Sequence, residues 1–359
     1  MHSLLAVLVC AVGAGIIVAT VLSAAQTLTV PRATPLWITR WVFLTVGLAF
    51  APARRLRDYR RRDRALARYA PLSLMCLPLV WLALLLVGFA LVFVALGQGW
   101  SDAVVESGSS LLTLGVREPP GTGPAILVFV EAALGLGLVA LLVSYLPSIY
   151  GSYSRREVMV TALETQAGSP PSAVALLGRL ARIEGLDELD GFWTEWSRWF
   201  ADIEETHCSA PSLVLFRSPQ PDRSWVTAAG TVLDAAALVS SALDLGRRPA
   251  AELCLRSGYL ALRRIADFYE MPYDDDPRAD DPIAIRREEF DEARAALADA
   301  GAALRPDADR AWRDFAGWRV NYDGVLLRFA GLTHSPTAPW SGDRALAFHR
   351  PALPRRRAR

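Results

Sequence analysis

Long apolar runs in the first half of the chain constrain its fold more than any other feature. A hydrocarbon core about 30 Å thick requires roughly 20 apolar residues in a helix. Residues 4–25 and 72–96 form such runs without a charged residue, and residues 125–145 form a third with a single acidic interruption. Residues 36–51 form a weaker run that contains Arg40, whose long side chain can extend to the membrane surface. The pattern predicts four transmembrane helices.

Arginine placement predicts the orientation of these helices, since basic residues concentrate in cytoplasmic loops. The chain has no lysine, and residues 53–69 carry eight arginines. Arg155 and Arg156 follow the last apolar run, whereas the connections 27–34 and 98–123 carry one arginine each. We therefore expect a multi-pass protein of the plasma (inner) membrane with both termini in the cytoplasm.

A cleaved signal peptide is the alternative interpretation of residues 1–26. S-A-A-Q at 23–26 resembles a small-residue cleavage site. The apolar run is long for a signal peptide, and no positive charge precedes it. These two features favour the transmembrane interpretation.

The stretch between the third and fourth apolar runs is too short and polar to cross a membrane by itself. Trp100–Leu112 has the length of a helix that reaches partway into a bilayer, and Thr113–Val116 follows as a glycine-containing extended run. Irregular backbone at membrane depth is tolerated only inside protein or along a water-filled cavity. A short helix can direct its negative C-terminal end toward a cavity, and successive backbone carbonyls after it can replace the water around a cation. These residues predict a re-entrant pore loop.

At this loop the chain resembles the tetrameric pore-loop cation channels of the potassium-channel type. Subunits of that family contain an outer helix, a pore helix, a T-V-G-Y-G-D filter and an inner helix, in this order. T-L-G-V-R-E at 113–118 occupies the position of that filter. Gly137 follows at the spacing of the family's inner-helix glycine, and Pro147 lies where some members have a gate proline.

The resemblance implies a homotetramer that conducts K⁺ or Na⁺, with ions at the oxygens of Thr113 and Gly115. The residues it assigns to the selectivity filter are Thr113, Leu114, Gly115 and Val116. The outer mouth is assigned to Arg117 and Glu118, and filter support to Ser110 and Glu131. The inner-helix hinge and gate are assigned to Gly137, Leu141, Tyr145 and Pro147.

Two departures from the family pattern affect the expected selectivity. Val116 replaces the tyrosine that braces the filter, and Arg117 replaces a glycine that adopts a conformation open only to glycine. We therefore expect fewer ion sites and poor discrimination between cations. A ring of four Arg117 side chains would also repel entering cations unless Glu118 neutralises it.

Two features of the last span have alternative interpretations. An ionisable residue inside a span is by default a functional hypothesis, and we expect Glu131 to brace the filter through Ser109, Ser110 or the pore-helix backbone. The alternative is a polar contact of Glu131 between subunits. Gly135 and Gly137 fit a hinge, but they equally fit simple close packing of helices.

The C-terminal half is predicted to be mostly helical. Apolar residues recur at helical spacing in 173–183, 192–203, 225–243, 251–268, 288–297 and 310–329. Only S-L-V-L-F at 212–216 resembles a strand. Trp193, Trp196 and Trp199 share a helix face and predict packing, and the acidic stretch 273–282 lacks the glycine and terminal Glu of an EF-hand loop.

Together these patterns predict an all-α membrane protein with four transmembrane helices, a re-entrant loop between the third and fourth, and a helical cytoplasmic domain. We divide the chain into an N-terminal part (1–69), a pore domain (70–155), a cytoplasmic domain (156–335) and a disordered tail (336–359). The expected function is cation conduction without enzymatic activity, cofactor, structural metal or nucleic acid. Expected partners are membrane lipid, three further copies of the chain and an unidentified gating ligand. The alternative function is a non-conducting membrane-anchored scaffold or signalling protein.

Overall fold

A computed structural model describes residues 2–28, 37–116 and 121–348. All regular elements in these ranges are helical, and the chain divides into two compact units. The apolar unit contains the chain up to Arg55 together with Arg68–Gly151, and the C-terminal unit contains Leu56–Ala67 together with the chain from Ser152 onward. The arginine-rich segment 56–67 thus packs with the C-terminal half, although the sequence-based division placed it with residues 1–69.

All helices of the apolar unit are among the first seven; the fourth belongs to the C-terminal unit, and the seventh extends into it. These seven are α1 (His2–Leu28), α2 (Trp37–Ala49), α3 (Ala51–Arg54), α4 (Tyr59–Leu66), α5 (Tyr69–Ala95), α6 (Trp100–Leu111) and α7 (Thr122–Ala167). Among the described residues, the helical stretches Leu4–Thr27, Tyr59–Ala95 and Thr122–Ala167 are long and apolar enough to cross a membrane. Helix α2 covers most of the predicted second span, but its 13 residues extend only about 20 Å.

Close packing of α1 on α5 depends on two glycines. A β-carbon added to Gly13 would lie 2.6 Å from the Gly88 carbonyl oxygen, and one added to Gly88 would lie 2.8 Å from the Ile17 side chain. Small residues allow apolar helices to approach closely where packing, rather than water exclusion, drives association. The Trp81 indole also donates a hydrogen bond to Ser23 Oγ at 3.2 Å. The first helix is therefore packed into the apolar unit along its length.

The C-terminal unit is a bundle arranged around one buried helix. Its further helices are α8 (Ala173–Arg182), α9 (Asp190–Ser209), α10 (Trp225–Ser241), α11 (Pro249–Phe268), α12 (Arg287–Asp299), α13 (Ala308–Arg319) and α14 (Asp323–Thr333). Nearly every residue of α10 is buried, as expected for a helix that is apolar on all sides. The helical prediction is confirmed, except that residues 310–329 form two helices separated at 320–322.

Two other sequence-based assignments in this unit were wrong. The strand candidate 212–216 lies in a 3₁₀ turn, Pro211–Leu215, because Pro211 starts a turn and no strand occurs among the described residues to pair with it. The tail was placed too early, since Ala338 and Trp340 are buried and Arg344 forms an ion pair with Glu289.

The tryptophans of α9 pack as the sequence predicted. Trp193, Trp196 and Trp199 are at most 4% exposed and belong to the core of the C-terminal unit. No group of three or more His, Cys, Asp or Glu side chains within the described residues is arranged to hold a metal ion.

A buried arginine organises one end of this bundle. The Arg319 side chain is fully buried and forms an ion pair with Asp234 on α10. It also donates to Asp323 Oδ1 and to the Trp340 carbonyl oxygen, both at 2.7 Å, and Tyr322 donates to the same Asp234 oxygen at 2.8 Å. Each of these buried polar groups depends on the others for its hydrogen bonds.

Arg319→Met should therefore lower the free energy of unfolding by about 3–5 kcal/mol, because it leaves Asp234 as a buried charge without its partner. Chemical denaturation of the full chain in detergent, followed by tryptophan fluorescence, measures this change. The matched control is Arg310→Met, which removes an arginine side chain that is 75% exposed and lies 3.9 Å from Asp314. The control should cost less than about 1 kcal/mol; equal losses in both variants would contradict the structural role of Arg319.

Candidate functional site

Helix α6 ends in a hydrogen-bonded cap around Thr113. The Thr113 N–H donates to Ser110 O at 2.9 Å, and the Leu114 N–H donates to Ser109 O at 2.7 Å. This pair of bonds is the Schellman arrangement, in which the capping residue adopts a left-handed conformation and is usually glycine. Thr113 has φ +56°, which costs a non-glycine residue roughly 1–2 kcal/mol. The two cap hydrogen bonds hold Thr113 in this conformation in spite of its cost.

Gly115 also adopts a left-handed conformation, with φ +65°. A β-carbon there would meet no atom within 4 Å, so the backbone conformation, not lack of space, favours glycine. The Val116 N–H donates to Ser109 Oγ at 2.8 Å, which ties the end of the run to α6. The Leu112, Leu114 and Val116 side chains are 56%, 64% and 66% exposed in the single chain.

Serine side chains on α6 connect it to both neighbouring helices. Ser110 Oγ donates to the Val128 carbonyl oxygen of α7 at 2.7 Å. Ser107 Oγ lies 3.0 Å from the Leu86 carbonyl oxygen of α5 and 2.5 Å from Glu131 Oε1 of α7. A hydroxyl has one proton to donate, so both Ser107 contacts are two-centre hydrogen bonds only when Glu131 carries a proton and donates it to Ser107.

Glu131 lies beside a second buried carboxyl group. Glu131 is fully buried and Glu106 is 4% exposed, and one oxygen of each has no hydrogen-bond partner among the described residues. The other Glu106 oxygen accepts from Gln98 Nε2 at 2.6 Å. Residues 69–116 and 121–154 contain no basic residue, so these helices offer the two carboxyl groups no counter-charge.

The two glycines of α7 differ in their surroundings. A β-carbon on Gly135 would lie 2.4 Å from the Leu111 carbonyl oxygen, whereas one on Gly137 would meet no atom within 4 Å. Close packing therefore explains Gly135 but not Gly137. Leu141 is exposed and Tyr145 is half-buried on the same helix, which continues past Pro147 to Ala167.

The structure thus brings together α6, the run 112–116, Ser110 and Glu131, with Ser107 as the direct partner of Glu131. The predicted mouth residues Arg117 and Glu118 lie outside the described residues.

Comparison of the chain with protein-family models, curated proteins and solved structures returns no match. The interpretation of the site therefore depends on its own geometry and chemistry.

A second cluster of functional interest lies in the C-terminal unit, around residues 211–217, which we call the junction segment. Helix α7 reaches it through Arg156, whose side chain is fully buried. Arg156 donates to the Leu213 and Phe216 carbonyl oxygens, both at 2.8 Å. One turn earlier on α7, the Tyr153 hydroxyl donates to the Arg217 carbonyl oxygen at 3.1 Å.

Helix α4 reaches the same junction segment from the other side. Arg217 forms an ion pair with Asp63 in which both side chains are 9% exposed, and it also donates to the His334 carbonyl oxygen at 2.9 Å. The Tyr59 hydroxyl donates to the Pro221 carbonyl oxygen at 2.9 Å. One segment therefore binds both α4, which directly precedes α5 in the chain, and α7.

His207 also contacts Arg156, which in addition forms an ion pair with the adjacent Glu157 at 2.8 Å. The His207 Nε2 lies 3.1 Å from Arg156 Nη1; a guanidinium group only donates, so this imidazole nitrogen must be unprotonated. Burial and the charge of Arg156 hold the pKa of His207 well below its usual range. The geometry and the direction of the shift both indicate a neutral imidazole.

Sequence analysis did not identify Asp63, Arg156 or Arg217. The available signal was the spacing of Tyr59, Asp63 and Leu66. It puts these three residues on one face of a short helix and most of the surrounding arginines on its other faces. No sequence pattern indicated their partners, because Asp63 and Arg217 pair across 154 positions of the chain and Arg156 binds carbonyl groups of an irregular turn.

Gly135→Ala should destabilise the apolar unit by about 1–3 kcal/mol, because the new β-carbon would overlap the Leu111 carbonyl oxygen. Gly137→Ala is the matched control on the same helix, and it should be neutral or stabilising because alanine favours helix over glycine by up to about 1 kcal/mol. Denaturation of the full chain in detergent, followed by circular dichroism, measures both. A neutral Gly135→Ala would contradict the close contact between α6 and α7.

His207 should make stability depend on pH. Because its pKa is lowered in the folded state, its contribution is present above the unfolded value of 6.5 and is lost as pH falls below that value. The loss approaches about 1.4 kcal/mol per pH unit for one proton. His207→Gln keeps an acceptor for Arg156 without titrating, so its unfolding free energy should vary less between pH 6.5 and 5. Identical pH profiles for both proteins would rule out His207 as the group responsible.

Proposed function

We propose that the chain is one subunit of a homotetrameric channel for monovalent cations, in which residues 112–116 line the narrowest part of the pore. The proposal places α5 as outer helix, α6 as pore helix and α7 as inner helix. It also places the protein in the plasma (inner) membrane, with the C-terminal unit in the cytoplasm. The observation that carries it is a helix of 12 residues followed by left-handed residues at 113 and 115.

The pairing of α4 with the C-terminal half supports the re-entrant topology. Asp63 and Arg217 are in contact, so they must lie on the same side of a membrane, and the chain between them must cross it an even number of times. Helices α5 and α7 each have the length of one crossing. Helix α6, at about 18 Å, is shorter than the hydrocarbon core. Two crossings with α6 entering and returning satisfy the contact.

The exposure of residues 112–116 supports assembly of several copies. A single T-L-G run offers too few carbonyl oxygens to replace the water around a cation, so symmetry-related runs are required. Three apolar side chains of the run are more than half exposed in the single chain. Neighbouring copies would cover these side chains while the backbone carbonyls face the axis.

The polar groups behind α6 support a rigid pore helix. Ser107, Ser110 and Glu131 connect α6 to α5 and α7 without basic residues. We infer that Glu131 is protonated, because only the neutral form satisfies both contacts of Ser107. In this proposal Glu131 braces the filter from inside one subunit, and Gly137, Leu141 and Tyr145 lie along the path toward the gate.

Gly115→Ala should abolish cation flux in liposomes that contain the purified full chain. A β-carbon at φ +65° costs on the order of 1–2 kcal/mol in each subunit, and the strain falls on the ion-binding backbone of every copy. Flux is measured with K⁺ on one side and Na⁺ on the other, so that the reversal potential also reports selectivity.

Gly97→Ala is the control for this experiment. Gly97 also has a positive φ, +101°, and a β-carbon there would meet no atom within 4 Å, but it precedes α6 instead of following it. The control should retain flux. Normal flux in Gly115→Ala would show that residues 112–116 do not form the filter. No flux in the unaltered protein would favour the non-conducting membrane-anchored scaffold.

A further inference from the structure

Helix α4 has two chemically distinct faces. Tyr59, Asp63 and Leu66 are spaced at i, i+4 and i+7, and they are half-buried or buried in the C-terminal unit. The opposite face carries Arg57, just before the helix, and Arg60, Arg61 and Arg64 within it, spaced at i, i+3, i+4 and i+7 from Arg57. All four are exposed, and we call them the arginine face.

The arginine face is unfavourable for the isolated helix. Like charges three or four residues apart repel each other, and arginines in the first turn oppose the positive end of the helix dipole. The acidic partners are few and exposed: Asp222 lies 3.8 Å from Arg60, and Asp58 lies 3.4 Å from Arg61. Such exposed pairs contribute little.

Arg57 and Arg64 form no ion pair within the described part of the chain. Despite the repulsion, these arginines are held together, because Asp63 and Tyr59 anchor the other face of α4 to Arg217 and Pro221. The C-terminal unit therefore presents a fixed row of cationic groups that an anionic surface would stabilise.

We propose that the arginine face of α4 docks on anionic phospholipid headgroups of the cytoplasmic leaflet. Helix α4 ends at Leu66 and α5, an apolar helix long enough to span, begins at Tyr69, so the chain confines the arginine face to the neighbourhood of the membrane surface. Guanidinium groups bind phosphate through paired hydrogen bonds. The negative surface potential of an anionic leaflet attracts such basic groups.

The inference rests on the proposed function only for the cytoplasmic side of the topology. It adds a route by which lipid composition would act on the protein: headgroups bound by α4 would stabilise the helix that Asp63 links to the junction segment. Ion conduction is not required for the binding itself.

The test measures which lipids the full chain retains. Immobilised protein is equilibrated with mixed micelles of phosphatidylglycerol and phosphatidylcholine in equal amounts, and the retained lipids are quantified by mass spectrometry. We expect a preference for phosphatidylglycerol that falls on the order of tenfold when Arg57, Arg60, Arg61 and Arg64 are all replaced by Gln. The preference should also fall at 1 M salt, where the Debye length is about 3 Å.

Matched variants distinguish the arginine face from general charge. Replacement of Arg182, Arg247, Arg278 and Arg310 by Gln removes the same charge from exposed positions of the same unit and should leave the preference unchanged. Replacement of the arginine face by Lys should retain most of it, which excludes unfolding of α4 as the cause of a loss. An unchanged preference in the Gln variant, or an equal loss in the control, would overturn the proposal.

Competition with soluble glycerol phosphate, at the same concentration as the lipid, distinguishes a lipid surface from free phosphate as the ligand. If glycerol phosphate displaces the phosphatidylglycerol, the arginine face binds free phosphate and the docking surface is refuted. Lipid retention is read without any flux measurement, so a protein that does not conduct can still show the preference.

Discussion

Backbone hydrogen bonding at the end of α6 is the constraint on which the candidate site depends. The last carbonyl groups of a helix have no partner within the helix, and each one left unsatisfied away from water is costly. The cap at Thr113 and Leu114 satisfies the carbonyls of Ser110 and Ser109, and Gly135 lets the last turn lie against α7. The left-handed conformation of Thr113 follows from this cap. The hydrogen bonds that cap the end of α6 thereby set the direction in which residues 114–116 leave the helix.

The junction segment binds two helices that are continuous with, or lead directly into, the candidate pore helices. Arg156 on α7 and Asp63 on α4 both bind residues 211–217. Helix α7 carries the candidate inner helix in its first half, and α4 leads directly into α5. A rearrangement of the junction segment must therefore either move the ends of both helices or break buried hydrogen bonds. Because buried polar groups are costly to leave unpaired, these contacts hold residues 211–217, Arg156 and Asp63 together.

Periodicity and composition were sufficient to predict the helical fold, the long apolar helices and the half-length α6. The extended conformation predicted for residues 113–116 was wrong, because Thr113 and Gly115 adopt left-handed conformations. The length of an apolar run and the need for glycine at special backbone angles are local properties of the sequence. The role of Ser107, the strain at Thr113 and the contact of Gly135 with Leu111 were not predictable in this way. The roles of Ser107 and Gly135 depend on which turn of α7 lies beside which turn of α6, and that register is set by packing. The strain at Thr113 arises from the cap bonds to Ser109 and Ser110.

The same separation between local and tertiary information applies to arginine, the only basic residue besides histidine in this chain. In sequence, the arginines of α4 indicate orientation, and those elsewhere look like a solvated surface. In the structure, Arg156 and Arg319 are fully buried and use several of their five donors on carbonyl and carboxylate oxygens at once.

A lysine ammonium could not replace Arg156 or Arg319, because its three donors lack the planar fork and its desolvation is more costly. Arg217 likewise binds a carboxylate and a carbonyl group, since it pairs with Asp63 and also donates to the end of α14. The fixed geometry of the guanidinium group thus allows this chain to join irregular carbonyl-rich turns to helices within the C-terminal unit.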